Sequence, residues 1–541
     1  MGPPKPTLGA TARHPHTTAP TPTDPYTYQQ GFGNRFASEA LPNTLPTTGN
    51  TPQRCAYDLF SEQLNATPFI HPRATQLHTW LYRIRPSVAH RPLTPCAPTY
   101  NPHLVADFTP ANPAASFSPN ELAWPPPPAP PARTTDFVQG LRTVAGSGSA
   151  TAQAGGLALH AYAAGASMAP RSAFCCNDGD LLVAPSEGAG LDLRTEMGWL
   201  RVRAGEVCVV PAGVKVWVGV VVGEGEGEGE EAVARGYVLE LFGAHFELPE
   251  LGPLGANGMA APRDFQAPVA SFVVDVDAGD WEVVYKHGGR LWSGVQPHAP
   301  FDVVAWHGNL APCKYALDRF VGVANTETDQ ADPTVYCVLT AKSKAAPGSS
   351  LIDFLAFRPR WSTTRNTFRP PYFHRNTAAE LMGLAFGAWP GSGHALAPGG
   401  LSFEPPYMPH GESHARWVDA TTRELGPERV GEGALAFMWH ISAPVAVTEW
   451  ARARAGPETL QKPEWEGLGN YGFLARLEEV ERDLKERGLP GLGEGGEGGR
   501  RTTSSAVQFS DFGQPAFSFS TASSSVTTSA YLASKSNRFA L

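Results

Sequence analysis

From about residue 26 onward the chain is written in short apolar runs. Leu181-Leu182-Val183, Trp199-Leu200-Arg201-Val202, Val207-Cys208-Val209-Val210 and Tyr237-Val238-Leu239-Glu240-Leu241 are separated by Gly, Pro, Asn or Asp. Runs punctuated in this way predict strands, and their spacing suits a sandwich or barrel. Gly205 to Val214 reads as strand, Pro/Gly turn and strand, the punctuation of a double-stranded barrel of the cupin or jelly-roll kind. The expected fold class is therefore mostly β, with jelly-roll or cupin-like sandwich or barrel domains and a few helices. One helix is expected over Thr377 to Phe386. Another is expected near the end, where Phe473, Leu474, Leu477, Val480 and Leu484 share one face, Glu478/Arg482 and Glu481/Lys485 pair at i,i+4, and Gly488 with Pro490 stops it. That helix reads as a packing element closing the last folded domain.

Composition narrows the possibilities. Charged residues are 17% of the 541, below the roughly one quarter usual in globular chains, while apolar residues at 42% supply a buried core. Gly 56 and Pro 52 imply many turns and few long helices. Lys and Arg number 42 against 51 Asp and Glu, a net charge of −9 with no basic block, so no nucleic-acid partner is expected. The most apolar stretch, Val207 to Val222, is broken by Pro211, Gly213 and Lys215, so no membrane span is expected either. The seven cysteines, without Cys-x-x-Cys spacing, read as free thiols of a reducing compartment. With no secretory pattern in the first 25 residues, a cytoplasmic location is expected.

Residues 1–25, rich in Pro and Thr, read as a disordered arm, and residues 491–541, with Gly-Glu repeats and Ser/Thr tracts, as a low-complexity tail. Between them, 26–300 is expected to form an N-terminal mostly-β domain and 301–490 a C-terminal cupin-like domain. The acidic run Gly223 to Glu231 reads as a loop insertion.

Candidate chemistry is densest between Trp361 and Ser413. There His374 is followed six residues later by Glu380, then by His394, Glu404, His410 and Glu412, with His414 just beyond. Two imidazoles and one carboxylate can supply a facial set for non-haem Fe(II), which leaves positions open for oxygen and substrate. A catalytic zinc uses the same residue types, although no His-Glu-x-x-His is present. The alternative is structural: His374 and Glu380 flank a helix start, and His410 lies in a Pro-Gly turn. A second candidate is His307, which the apolar run Phe301 to Trp306 delivers into a Gly-Asn turn. It is either a proton-transfer group or, the commoner case, a core histidine satisfied by a backbone carbonyl.

Tyr28-Gln29-Gln30-Gly31-Phe32-Gly33-Asn34, Trp80-Leu81-Tyr82-Arg83-Ile84, Arg263 to Ala270, Pro300 to Asn309, Phe368-Arg369-Pro370-Pro371 and His374-Arg375-Asn376 together resemble the homogentisate 1,2-dioxygenases. These are ferrous enzymes of tyrosine and phenylalanine catabolism that open a hydroquinone-type ring. The resemblance covers roughly Tyr26 to Arg487. It implies Fe(II) held by His374, Glu380 and His410 in the C-terminal part, an acid/base role for His307, and contact of His410 with substrate. It also implies a small aromatic substrate and O2 as partners, maleylacetoacetate as product, and a homo-oligomer assembled as a hexamer.

Departures from the family pattern fall beside the iron. Trp389 stands where a substrate-contacting tyrosine is usual, and Glu404 where a histidine precedes the second metal histidine by six positions. Gly411-Glu412-Ser413 replaces Gly-Pro-Asp, and Trp439-His440-Ile441 replaces Phe-Glu-Ser. Trp389 and Glu404 are thus candidate substrate-binding positions. A carboxylate at Glu404 disfavours an anionic substrate arm unless it is protonated or turned away. The resemblance therefore leaves two alternatives: a paralogue acting on another hydroquinone-type acid, or a catalytically silent cupin-type binding protein.

Overall fold

A computed structural model describes residues 17–18, 23–46, 53–65, 73–131, 133–221, 232–251, 259–276, 279–322, 336–362, 373–388, 396–424, 426–455 and 472–492. The acidic run 223–231, Trp389, His394 and most of the arm and tail lie outside the described residues. Residues 1–466 group as one compact unit and 467–541 as another.

Strands dominate the first unit, in agreement with the expected fold class. An eleven-stranded sheet has Gly179–Pro185, Ala234–Phe242, Gly156–Ala164 and Leu141–Gly148 as adjacent antiparallel strands. One face packs on a seven-stranded sheet that includes Gly190–Thr195, Lys215–Val221, Ser172–Cys176 and Trp281–His287. Its other face packs on a six-stranded sheet holding Cys337–Lys342, Ser350–Phe357, Leu435–Ile441, Ala379–Phe386, Leu401–Glu404 and Leu122–Trp124. Alternate residues obey this division. Leu181, Val183 and Val238 join the core toward the seven-stranded sheet, whereas Leu182, Leu239 and Leu241 join the core toward the six-stranded one. A sheet covered on both sides favours apolar residues on both faces, Glu240 being a buried charged exception on the central strand. This is why these strands read as unbroken runs.

A further sheet of four strands, ordered Phe36–Glu39, Val303–Gly308, Thr79–Arg83 and Phe60–Leu64, carries His307. It is anchored by Arg83, whose guanidinium is fully buried and donates to Asp302, Glu62, Glu196, Ser87 and the Pro300 carbonyl. Gly308 is needed where it stands, since a Cβ there would lie 2.3 Å from the carbonyl oxygen of His78, the residue just before the neighbouring strand.

The helix expected over Thr377 to Phe386 is instead the strand Ala379–Phe386. It lies between Leu401–Glu404 and Leu435–Ile441, and all but its last residue are buried. Burial on both faces erases the period-two signal, and Ala, Glu, Leu and Met favour helix locally until tertiary pairing overrides them. Gly383 lets the Phe437 ring lie across the strand, for a Cβ would come within 2.5 Å of it. In the second unit the helix forms as expected, Leu477–Glu486, yet none of its residues is buried. Leu477, Val480 and Leu484 on its apolar face are half-buried. Ten residues with three apolar side chains leave that face narrow. No helix among the described residues is long and apolar enough to cross a membrane.

Candidate metal centre

His374 and His410 lie far apart in sequence but form an antiparallel bridge. His374 N–H donates to the His410 carbonyl at 2.9 Å, and His410 N–H donates back to the His374 carbonyl at 3.1 Å. The pairing sets the two imidazoles side by side, with ring centroids 4.2 Å apart. Glu380, second residue of its strand, projects toward both. Its Oε1 lies 3.7 Å from His374 Nε2, and its Oε2 lies 3.7 Å from His410 Nε2. Among the described residues this is the one group of three His, Cys, Asp or Glu donors whose ligand atoms all lie within 4.8 Å of one another. Donors each about 2.0–2.2 Å from a shared ion are roughly 3.0–3.6 Å apart. The two separations from Glu380 need only a slight contraction.

Neighbouring hydrogen bonds prepare these donors. His410 Nδ1–H donates to the Met408 carbonyl at 2.9 Å, which leaves Nε2 with its lone pair toward Glu380. That Nε2 is buried and has no hydrogen-bond partner among the described residues. An orphaned imidazole nitrogen beside a carboxylate suits a metal better than a packed core, and fixing the tautomer through the other ring nitrogen is how ligand histidines are held. Asn376 Nδ2 donates to Glu380 Oε1 at 2.5 Å, while its Oδ1 accepts from Ala378 N–H at 3.1 Å. Burial pushes the Glu380 carboxyl upward, but the two imidazoles 3.7 Å away and the Asn376 hydrogen bond outweigh it and hold the group well below the usual carboxylate range. For His410, burial pulls the imidazole down, and Glu380 with the Met408 carbonyl lifts it above its ordinary value.

Glu380 has a titratable neighbour on each flanking strand. Glu404 pairs with it from one side and His440 from the other. Burial and then the Glu380 charge push the Glu404 carboxyl up to about 8, so the metal-free protein keeps it protonated at neutral pH. His440 Nε2 approaches Glu380 Oε1 to 3.8 Å. Sequence reasoning marked His440 only as a departure from the family pattern. In the sequence Asn376 is part of the His-Arg-Asn motif, and nothing in its spacing shows that its side chain turns back onto a carboxylate four residues on. Glu412 is half-buried, and burial pushes its carboxyl upward. His414 opens the helix His414–Thr422, capped by Ser413.

His307 lies on the four-stranded sheet and not on the strands bearing Glu380. It is half-buried, and its Nε2 lies 3.2 Å from the Tyr82 hydroxyl, so its partner is a phenol and not the backbone carbonyl of the core alternative. Burial and then His78 lower its pKa. Tyr82 also walls an open cleft of about 560 Å³.

These features define a mostly-β protein with a candidate centre of two histidines and one carboxylate. Comparison with known proteins goes further. The family models for the N-terminal and C-terminal parts of homogentisate 1,2-dioxygenase match residues 27–317 and 318–471. The homogentisate 1,2-dioxygenase of Dictyostelium discoideum is 42% identical over 443 residues, covering 82% of this chain and 97% of that one. That of Drosophila melanogaster is 42% identical over 455 residues, covering 82% and 98%. The chain belongs to the homogentisate 1,2-dioxygenase family. Among solved structures, a cupin 2 conserved barrel domain protein from Leptotrichia buccalis aligns with TM-score 0.22 and 7% identity over 56% of this chain and 89% of that one.

Proposed function

We propose that this chain is an Fe(II)-dependent homogentisate 1,2-dioxygenase, adding both atoms of O2 to a hydroquinone-type acid and opening its ring to maleylacetoacetate. The observation that carries the iron reading is the convergence of His374, Glu380 and His410, with His410 Nε2 left unsatisfied. When bound, Fe(II) supplies Lewis acidity and a route for electrons from ring to oxygen. The residues around it have their own tasks. The bridge between His374 and His410 fixes the spacing of the imidazoles, Met408 fixes the His410 tautomer, and Asn376 fixes the rotation of Glu380. A protonated Glu404 offers an O–H donor where an ionised one would repel the substrate carboxylate. His307 takes and returns the phenolic proton, its lowered pKa keeping it a neutral base at pH 7.

A second reading is favoured by Glu404 and His440 flanking Glu380: the same chemistry on a different hydroquinone-type acid. The free state of all seven cysteines supports a cytoplasmic location. We also extend the proposal to a homohexamer, as the family resemblance implies.

Oxygen uptake decides the function. Protein reconstituted anaerobically with Fe(II) is expected to consume one O2 per homogentisate, and His374→Ala to lose both iron and uptake. Uptake with gentisate but not homogentisate selects the second reading, and no uptake with either overturns both.

A further inference from the structure

His307 and Tyr82 sit on one face of the four-stranded sheet, since His307 pairs with Trp80 across the strands and Tyr82 with Ala305. The same face builds the cleft. Ser61 is paired with Tyr82, and Ser61, Trp80 and Tyr82 line the cleft together with Asn43, Arg54 and Cys55. Tyr82 therefore has its ring on the cleft and its hydroxyl 3.2 Å from His307 Nε2. Arg83, the next residue, points to the opposite face into its buried carboxylates, so the strand bearing Tyr82 is held rigidly from behind.

An imidazole that takes a proton and holds it until its return stays cationic unless it can pass a proton on to solvent. We propose that Tyr82 is the relay that connects His307 to bulk water, an inference that rests on the reading of His307 as the proton-transfer group. In the resting state His307 Nε2–H donates to the Tyr82 oxygen, and the Tyr82 hydroxyl proton points to the cleft. A proton taken from substrate at Nδ1 makes the imidazolium. Nε2 then gives its proton to the Tyr82 oxygen as the original hydroxyl proton passes to water in the cleft, so that one proton enters, one leaves and no charge stays behind. On return the path runs backwards: Nδ1–H goes to the reaction, the Tyr82 hydroxyl proton passes to Nε2 and cleft water reprotonates the Tyr82 oxygen, which restores the resting pair. Both groups are suited to this, because burial raises the Tyr82 phenol and lowers the His307 imidazole, keeping each neutral between transfers. Other titratable groups near the pair are Cys55 beside Tyr82, His78 beside His307, Arg54 in the cleft wall, and Glu39, whose carboxylate accepts from Asn43 and Leu45 N–H. Tyr82 acts through His307 and is a relay, not a group that meets substrate.

The test compares Tyr82→Phe, Tyr82→His and His307→Gln in the iron-loaded protein. Tyr82→Phe is expected to retain iron and KM, to lower kcat about tenfold, and to regain turnover as imidazole buffer is added. Tyr82→His, which restores a group able to pass a proton, is expected to recover most of the loss and serves if the Phe variant folds poorly. NMR of nitrogen-15 histidine-labelled, zinc-loaded protein, with the His307 signals assigned by their loss in His307→Gln, should show Nε2–H in the parent and a tautomer mixture in Tyr82→Phe. If His307→Gln turns over normally, the acid/base reading itself falls. If His307→Gln is impaired while Tyr82→Phe keeps the parent kcat, pH profile and tautomer, the relay is overturned and the acid/base reading stands.

Discussion

Asn376→Ala removes one hydrogen bond from the proposed metal site and touches no ligand. The amide donates to Glu380 Oε1 at 2.5 Å and accepts from Ala378 N–H at 3.1 Å, so the change frees the carboxylate to rotate and loosens the turn before its strand. A hydrogen bond to a charged acceptor contributes about 1.5–3 kcal/mol. If that energy is used to orient Glu380 for the metal, its loss weakens Fe(II) binding roughly 10- to 150-fold, in line with the 10- to 100-fold effect of losing a partner that orients a ligand. The folding cost should be smaller, because Asn376 keeps its backbone bond from Tyr407 N–H. Anaerobic titration against a calibrated chelator gives the affinity, and thermal melting of the metal-free protein gives the folding term. Affinity within twofold of the parent in a variant that melts normally would refute the assignment of Asn376 as the holder of Glu380.

Arg83→Met leaves Asp302 buried without its guanidinium and Glu196 with Lys215 alone, and urea unfolding should show a loss of about 3–5 kcal/mol; a loss under 1 kcal/mol means the network is not anchoring the His307 strand. Gly383→Ala places a methyl within 2.5 Å of the Phe437 ring and should cost about 1–3 kcal/mol in melting experiments, since the central strand cannot move away from both neighbours. For Glu404 the sign follows from its raised pKa. Between the ordinary 4.5 and about 8, the folded metal-free protein holds a proton that the unfolded chain has released, so stability falls as pH rises through that window. Glu404→Gln should flatten this slope and raise the melting temperature at pH 8; an unchanged slope would show the carboxyl ionised or turned to solvent.

The limits of reading this fold from its sequence are physical. Strands that face the core on one side and are sheltered on the other, such as Tyr237 to Leu241, announce themselves as apolar runs between breakers. The same double burial made Thr377 to Phe386 indistinguishable from a helix, and with it misjudged how Glu380 is presented. On a helix, Glu380 would have had neighbours three and four residues away in its own segment. On the strand, its neighbours are Glu404 and His440, each supplied by a different segment. The residues of the proposed metal site stand out in their order along the chain, whereas the groups flanking Glu380 do not, because cross-strand register brings them together and no local pattern encodes register. In the sequence the two departures at Glu404 and His440 look like separate drifts, 24 and 60 positions beyond Glu380. In space they flank one carboxylate, so a change in the charge of either reaches the proposed metal site through Glu380, and their effects on substrate choice should be strongly non-additive. A double-mutant cycle over Glu404→Gln and His440→Gln, read in kcat/KM for homogentisate, should return a coupling above 0.5 kcal/mol. Additive effects would mean that the two positions do not share Glu380 after all.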